Sequence, residues 1–361
     1  MQDSKAALAA ERYVDLTIGT LSGEGSGQIA NTHREQVQQI TPRAWGHMPT
    51  VVENDPTYYD RPVIKASVWT IDIPLYYFFG GAAGAALTLG AAVQLACRRD
   101  DECRGDLRKF AEYCHWTGII GSSVGAMFLV HDLGRPSRFL HMVRVFRPSS
   151  PMNMGSWILG GAAPTAIATG LFINRGGLLG DVGEVTGYLS GIFGTALAGY
   201  TGVLVSNSVI PVWQEARRWM PILFAASGMT TAASVIDIFY ENERANLITY
   251  TFGNVGRVLE LVASYKVEET ASKTPRVGEP FHKPGTGTLW KAAGILTAAS
   301  LLLSVLPGKS SAKRRVAGVL GAAGSLCLRF AVHYISNASA RDARATFQVQ
   351  RRQLKEARDG A

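Results

Sequence analysis

Eight runs of roughly 20 mostly apolar residues, each long enough to cross a bilayer's hydrocarbon core, constrain this chain more than any other feature. They lie at about 69–96, 110–131, 154–174, 185–209, 219–240, 245–266, 288–306 and 315–336. Inside lipid a segment must satisfy its own backbone N–H and C=O groups, so each run is expected as a helix. Mean hydropathy is only +0.08 because polar stretches at 1–66 and 340–361 dilute the apolar middle. Small residues recur at four-residue intervals, as at Gly80 and Gly84, Gly187 and Gly191, and Ala317 and Gly321. That spacing lets helix backbones approach closely where burial alone gives no driving force. The fold class expected is an all-α integral membrane protein of eight tightly packed spans. The sixth run carries Arg257 and Glu260; it reads as a span with its charged side turned into the bundle, the alternative being a helix at the membrane surface.

The opening MQDSKAALAAERYVDL lacks the apolar region of a cleavable signal peptide. Residues 1–66 are turn-rich and poor in apolar clusters, and are expected to drape over a partner or lie disordered. Much of the net charge of +8 is interfacial, in RRDDECRGDLRK, in the 131–147 loop, in KRR at 313–315 and in the tail RRQLKEAR. Basic residues flanking spans are what membrane topology predicts, so nucleic-acid binding is not implied. They divide evenly between the two sets of loops, which leaves orientation open. Cys97, Cys103, Cys114 and Cys327 are too few and wrongly spaced for an iron–sulfur run. Cys97 and Cys103 could bridge in an oxidising compartment. His131 and His333 are conceivable haem ligands, but His115 lies at the other end of its span and no two-helix set of four histidines exists.

The densest chemistry lies in VHDLGRPSRFLHMVRVFRPSSPMNMGSW, residues 130–157, between the second and third spans. His131, Asp132 and Arg135 follow an apolar helix, and ionisable groups at membrane depth are functional candidates by default. The plain alternatives are a helix-capping His131 and a helix-end ion pair between Asp132 and Arg135. Arg138, Arg144 and Arg147 continue the loop as a docking rim for something acidic or redox-active. The first span opens with Asp72 two residues before Pro74, beneath an aromatic patch of Trp69, Tyr76 and Tyr77. Asp72 reads as a helix N-cap and as a carboxylate exchanging protons with a bound ligand, two compatible roles. Tyr200 stands among small residues, and its hydroxyl needs a partner, a ligand carbonyl or a backbone oxygen. Asp237, Arg257, Glu260, Arg329 and His333 are polar groups on spans five, six and eight, read as interhelical ion pairing or as a candidate proton path.

These residues carry a resemblance. The run DLGRPSRFLHMVRVFRPSSPMNMGSWIL closely resembles the signature of the NrfD/polysulfide-reductase membrane-subunit family. WTIDIPLYYFFGGAAGA, GYTGVLVSNSVIPVW and WMPILFAASGMTTAAS agree in the same order, so the similarity covers roughly 60–240, while 241–361 agrees in span count and polarity. The resemblance implies eight spans arranged as two four-helix bundles and a quinone, menaquinone or ubiquinone, bound in the first. It implies no haem or cluster in this chain. A ferredoxin-like iron–sulfur subunit would dock nearest the quinone and relay electrons to or from a molybdopterin or other catalytic subunit, in a bacterial inner membrane. Relatives sit in alternative complex III, and some are proposed to move protons.

Carried over by position, Tyr200 matches a tyrosine that hydrogen-bonds the quinone. Asp72 falls within one residue of a polar position facing the head group, and Asp132 matches an acidic position thought to conduct protons, with His131 and Arg135 beside it. Trp69 and Tyr76 complete the expected pocket. The sequence departs from the best-known members in its long N-terminal segment and in Asp72-Ile73, where others carry amides. The division expected is an extension at 1–66, a quinone-binding bundle at 67–210, a second bundle at 211–340 and a basic tail at 341–361. The expected role is a membrane anchor and quinone-reactive subunit; the rival is a structural or proton-channel subunit that binds no quinone.

Overall fold

A computed structural model describes residues 62–135, 137–308, 310–349 and 352, together with a short antiparallel pair, Tyr13–Asp15 with Thr20–Ser22. The rest of the expected N-terminal extension and most of the basic tail lie outside the described residues.

Eight long helices succeed one another: α1 Asp72–Ala96, α2 Asp101–Asp132, α3 Pro151–Phe172, α4 Gly177–Ser206, α5 Met220–Phe239, α6 Glu243–Ser272, α7 Thr286–Val305 and α8 Ser311–Arg341. Of these, α1, α4, α5, α7 and α8 are long and apolar enough to cross a membrane. Local chemistry fixes several starts. Asp100 caps α2 by accepting from the N–H groups of Glu102 and Cys103, at 3.0 and 3.1 Å. Ser150 caps α3 with Pro151 in the first turn, and Asn242 caps α6 at Ala245 N, 3.1 Å. A Cys97–Cys103 disulfide closes the turn between α1 and α2. The turn into α7 passes through Gly285 at φ +88°, a left-handed conformation that glycine adopts without a Cβ clash.

Each helix reverses the direction of the one before. One face of the molecule therefore carries the start of α1, the end of α2, the start of α3 and the end of α4; it is called the rim face. On it Thr70 meets Asp132, and Trp69 stacks on Trp213 of the α4–α5 connection. The opposite face carries Arg104 with Glu184 and Arg244 with Asp106.

Helix α1 is central, packed against α2, α4 and α5. Helix α3 lies on α4 and α2, α6 on α5, and α7 on α8 and α6, with α8 against α5. Small residues set the distances. A Cβ at Gly84 would come 2.5 Å from Gly194 O and 2.6 Å from Ala198 N, and one at Gly228 would come 2.6 Å from Gly81 O. A Cβ at Gly321 would meet Ser234 Oγ at 2.5 Å and Ser300 Oγ at 2.9 Å. The contacts at Gly84 and Gly228 bring backbones together without side chains between them, and at Gly321 only two serine hydroxyls intervene, the arrangement expected of helices associating in lipid.

Candidate functional site

Asp72 is the first residue of α1, and the cap position belongs to Ile71, which makes no side-chain cap bond. The N-cap reading of Asp72 is thereby overturned. The carboxylate turns aside instead, with Oδ2 2.8 Å from His131 Nδ1 and 2.8 Å from Thr70 Oγ1. The same Thr70 hydroxyl lies 2.8 Å from Asp132 Oδ1, which also accepts from Thr70 N at 3.0 Å. Asp132 is thus engaged across 62 residues of sequence, and among the described residues no ion pair joins it to Arg135. Asp72, Thr70, Asp132 and His131 form one hydrogen-bonded cluster at the rim. Its inner end is nearly buried, the Asp72 side chain being 11% accessible, while the His131 ring is 79% accessible and faces out. Such a chain can hold a proton on either carboxylate or on the imidazole and hand it to water at His131.

Tyr200 sits near the rim-face end of α4, 7% accessible. Of the two partners open to its hydroxyl, the structure shows the backbone one: it donates to Pro151 O at 2.8 Å. The ring fits only because position 155 is glycine, since a Cβ there would collide with Tyr200 Cζ and Oη. A ligand carbonyl would have to compete with Pro151 O for that hydroxyl. Tyr76 is buried beside Gly80. Trp69 is stacked on Trp213 with ring centres 5.9 Å apart and edge-on to Tyr77 at 6.4 Å. It therefore stands at the junction with α5 and α8.

Beyond the cluster, Ser137–Arg144 forms a short helix along the rim, and Asn153 of α3 pins its C-terminal end and the adjoining turn. The Asn153 amide donates to Met142 O and Val145 O at 2.5 and 2.8 Å, and its oxygen accepts from Arg147 N at 2.7 Å. Arg135, Arg144 and Arg147 are exposed and have no carboxylate partner among the described residues. Arg138 belongs to the same helix, but its side chain lies outside the described residues. Val145 and Phe146 are exposed between them, giving the rim apolar contact surface as well as charge.

The second polar group is internal. Arg257 and Glu260 of α6 are 0% and 2% accessible, so the sixth helix does turn its charged side inward. Arg257 Nη2 lies 3.7 Å from Asp237 Oδ2, and Arg314 of α8, absent from the sequence-based set, reaches Asp237 Oδ1 at 3.9 Å. Glu260 accepts from Ser325 Oγ at 3.2 Å. Arg329 donates to Phe224 O at 2.9 Å, with its guanidinium 4.2 Å from the Phe224 ring centre. His333 Nε2 pairs with the Asn337 amide at 3.2 Å, and Asn337 Oδ1 accepts from Ser67 Oγ at 2.7 Å. A cavity of about 470 Å³ opens beside Asp237, Lys313 and Arg314, at the face opposite the rim.

The structure therefore unites Asp72, His131 and Asp132 at the rim, places Tyr200 at the same end in a backbone bond, and sets Asp237, Arg257, Glu260, Arg329 and His333 along the helices α5, α6 and α8. Sequence reasoning missed Thr70, Gly155 and Asn153. Each had a signal of position alone, Thr70 standing inside WTIDIPLYYFFGGAAGA and Gly155 and Asn153 inside PMNMGSW, segments already singled out. Among the described residues no group of three or more His, Cys, Asp and Glu side chains is placed to hold a metal ion.

No curated protein matches the chain. A family profile described as "Polysulphide reductase, NrfD" matches residues 62–245, just over half of the sequence and the whole of the region holding the rim cluster, Tyr200 and the arginine loop. The chain belongs to the NrfD polysulphide reductase family.

Proposed function

We propose that this chain is the quinone-reactive anchor of a respiratory oxidoreductase, taking up or releasing protons at the rim cluster as a quinone or quinol exchanges electrons with an iron–sulfur partner. Family membership makes it a membrane subunit of an oxidoreductase complex, and its apolar helices make it a multi-pass membrane protein. All eight long helices are read as spans, α1–α4 (within 67–210) forming a quinone-binding bundle and α5–α8 (within 211–340) a second one. The helix contacts support this grouping, with α1, α4 and α5 close at the seam. The catalytic site for a water-soluble substrate lies on another chain, a molybdopterin or similar subunit, and the location is a bacterial inner membrane.

The observation that carries the reading is the Asp72–Thr70–Asp132–His131 cluster, assembled at the bundle end where Tyr200 lies, beneath arginines with no carboxylate partner of their own among the described residues. Reducing a quinone consumes two electrons and two protons. A carboxylate–imidazole pair open to water on one side and nearly buried on the other suits the proton half of that exchange. Trp69, Tyr76 and Arg135 flank the proposed pocket. Arg138, Arg144 and Arg147 are the proposed docking rim, and Asp237, Arg257, Glu260, Arg329 and His333 the proposed proton path.

The test uses the intact complex in membranes. Tyr200→Phe and Asp132→Asn should each abolish quinone-linked turnover while assembly survives; unchanged turnover in both refutes the site. The Tyr200–Pro151 bond favours one rival, a subunit that anchors or conducts protons without binding quinone. Displacement of a quinone-site inhibitor by added quinone separates the two.

A further inference from the structure

Tyr77 is fully buried, and its hydroxyl has no hydrogen-bond partner among the described residues. It stands one residue from Tyr76, yet it faces the seam between the two helix groups. Its ring meets Phe224 of α5 edge-on, with centres 5.4 Å apart. Arg329 of α8 lies against the same Phe224 ring. A Cβ at Gly81, one turn further along α1, would come 3.0 Å from Arg329 Nη2. The guanidinium therefore occupies a notch in α1 directly below Tyr77.

That neighbourhood is rich in donors without acceptors. Arg329 Nε and Nη1, Ser227 Oγ and His333 Nδ1 all lack partners among the described residues, and all three residues are at most 4% accessible. Deeper in the seam, Arg257 Nε of α6 and Ser234 Oγ of α5 are in the same condition. Buried polar groups in folded proteins are almost always paired, with ordered water where no protein atom serves. The orphaned atoms trace a line. It runs from His333 and Tyr77 past Arg329 to Ser227, whose carbonyl lies 3.5 Å from Ser325 Oγ, itself bonded to Glu260. It continues through Arg257 to Asp237, where the cavity of about 470 Å³ opens. From Arg314 to His333 the line spans 19 residues of α8, or about 28 Å, close to the thickness of a bilayer core.

We infer that ordered water fills this seam and that the Tyr77 hydroxyl is the link passing protons between the rim cluster and the Arg329–Glu260–Arg257–Asp237 line, with the cavity at Asp237 as its solvent mouth. The inference rests on the reading that the rim cluster exchanges protons with a quinone, and it adds the side of the membrane those protons come from. The hops run through the water, the Tyr77 and serine hydroxyls and the Glu260 and Asp237 carboxylates, each giving a proton forward and accepting one from behind. Arg329 and Arg257 orient the water by hydrogen bonds without giving up protons. One proton taken in at Asp237 balances one delivered to the rim, and no redox partner is needed.

The test is Tyr77→Phe, with Ser227→Ala as a second variant, in the intact complex reconstituted into sealed vesicles. The Phe ring keeps the contacts with Phe224 and Trp69 and deletes only an unpaired hydroxyl, so packing alone predicts no harm. With a pH-sensitive dye on each side, quinone reduction by the parent complex should draw protons from the Asp237 side. In both variants that uptake should fall by about tenfold or more, with quinone-site inhibitor binding unchanged. Proton uptake from the rim side alone in the parent, or undiminished uptake in both variants, overturns the inference. Asp132→Asn, run in parallel, keeps the two readings apart. Loss of turnover there with Tyr77→Phe at parental uptake sinks only the conduit, whereas full turnover in Asp132→Asn sinks the quinone site itself.

Discussion

Gly155→Ala should damage this protein far more than its size suggests. A Cβ at position 155 overlaps Cζ, Oη and Cε1 of Tyr200. The ring has no room to retreat, being 7% accessible and held by the bond from its hydroxyl to Pro151 O. Either the ring turns and the bond is lost, or α3 moves off α4. Leaving the buried hydroxyl unpaired costs about 1–3 kcal/mol, and overpacking adds about 1–3 kcal/mol. Alanine's better helix propensity returns about 1 kcal/mol. Taking middle values, the net loss is roughly 3 kcal/mol. Gly160, on the same helix, is the control: an added Cβ there meets nothing within 4 Å, and Gly160→Ala should be neutral or slightly stabilising. In a Tyr200→Leu background the collision and the bond are both gone, so Gly155→Ala should lose most of its penalty. Unfolding by detergent titration in mixed micelles measures all four variants. If Gly155→Ala and Gly160→Ala agree within about 0.5 kcal/mol, or the penalty survives unchanged beside Tyr200→Leu, the account of the Tyr200 seat is wrong.

Arg257→Met should cost about 3–5 kcal/mol in the same titration, because it strands the buried Asp237 carboxylate 3.7 Å from where the guanidinium had been, and adding Asp237→Leu should restore most of the loss. A single variant as stable as the parent would show that Arg314 alone suffices for Asp237. Arg144→Glu with Arg147→Glu should leave stability within about 0.5 kcal/mol, since neither residue has a carboxylate partner among the described residues. The same pair should release the cluster-bearing partner in detergent, and recovery of the full complex at ordinary salt would count against docking on this rim.

The helices were legible because lipid leaves an apolar run no other structure to adopt, but their ends were not. Helix α2 begins at Asp101, nine residues before its apolar run, and α6 continues to Ser272, six residues beyond its own. Those extra turns are charged, so hydropathy carries no signal of them. The rim residues were legible as costly to bury, whereas their pairing was not. The spacing of Asp132 and Arg135 suggested a local ion pair, and the partner proved to be Thr70, brought in by the packing of α1 on α2. Asp72 before Pro74 had the form of an N-cap, yet a carboxylate with an imidazole and a hydroxyl both at 2.8 Å gains more by turning towards them. Tyr76 and Tyr77 are adjacent in sequence but about 100° apart around α1, so no pattern in the sequence could say which one meets α5.

The small residues that read only as packing also determine where chemistry can sit. Gly84 brings α4 against one side of α1, and Gly81 brings α5 against another. Where backbones touch, no side chain larger than a hydrogen fits between them, so large polar groups are confined to the turns above and below. On α1 the turn above holds Tyr76 and Tyr77. The Gly81 notch admits the Arg329 guanidinium because no Cβ occupies it, and Gly155 admits the Tyr200 ring for the same reason. The tyrosines, the buried arginine and the rim cluster therefore share one end of the molecule as a consequence of close helix approach, and the sequence announces that approach in its glycine spacing before it announces any site.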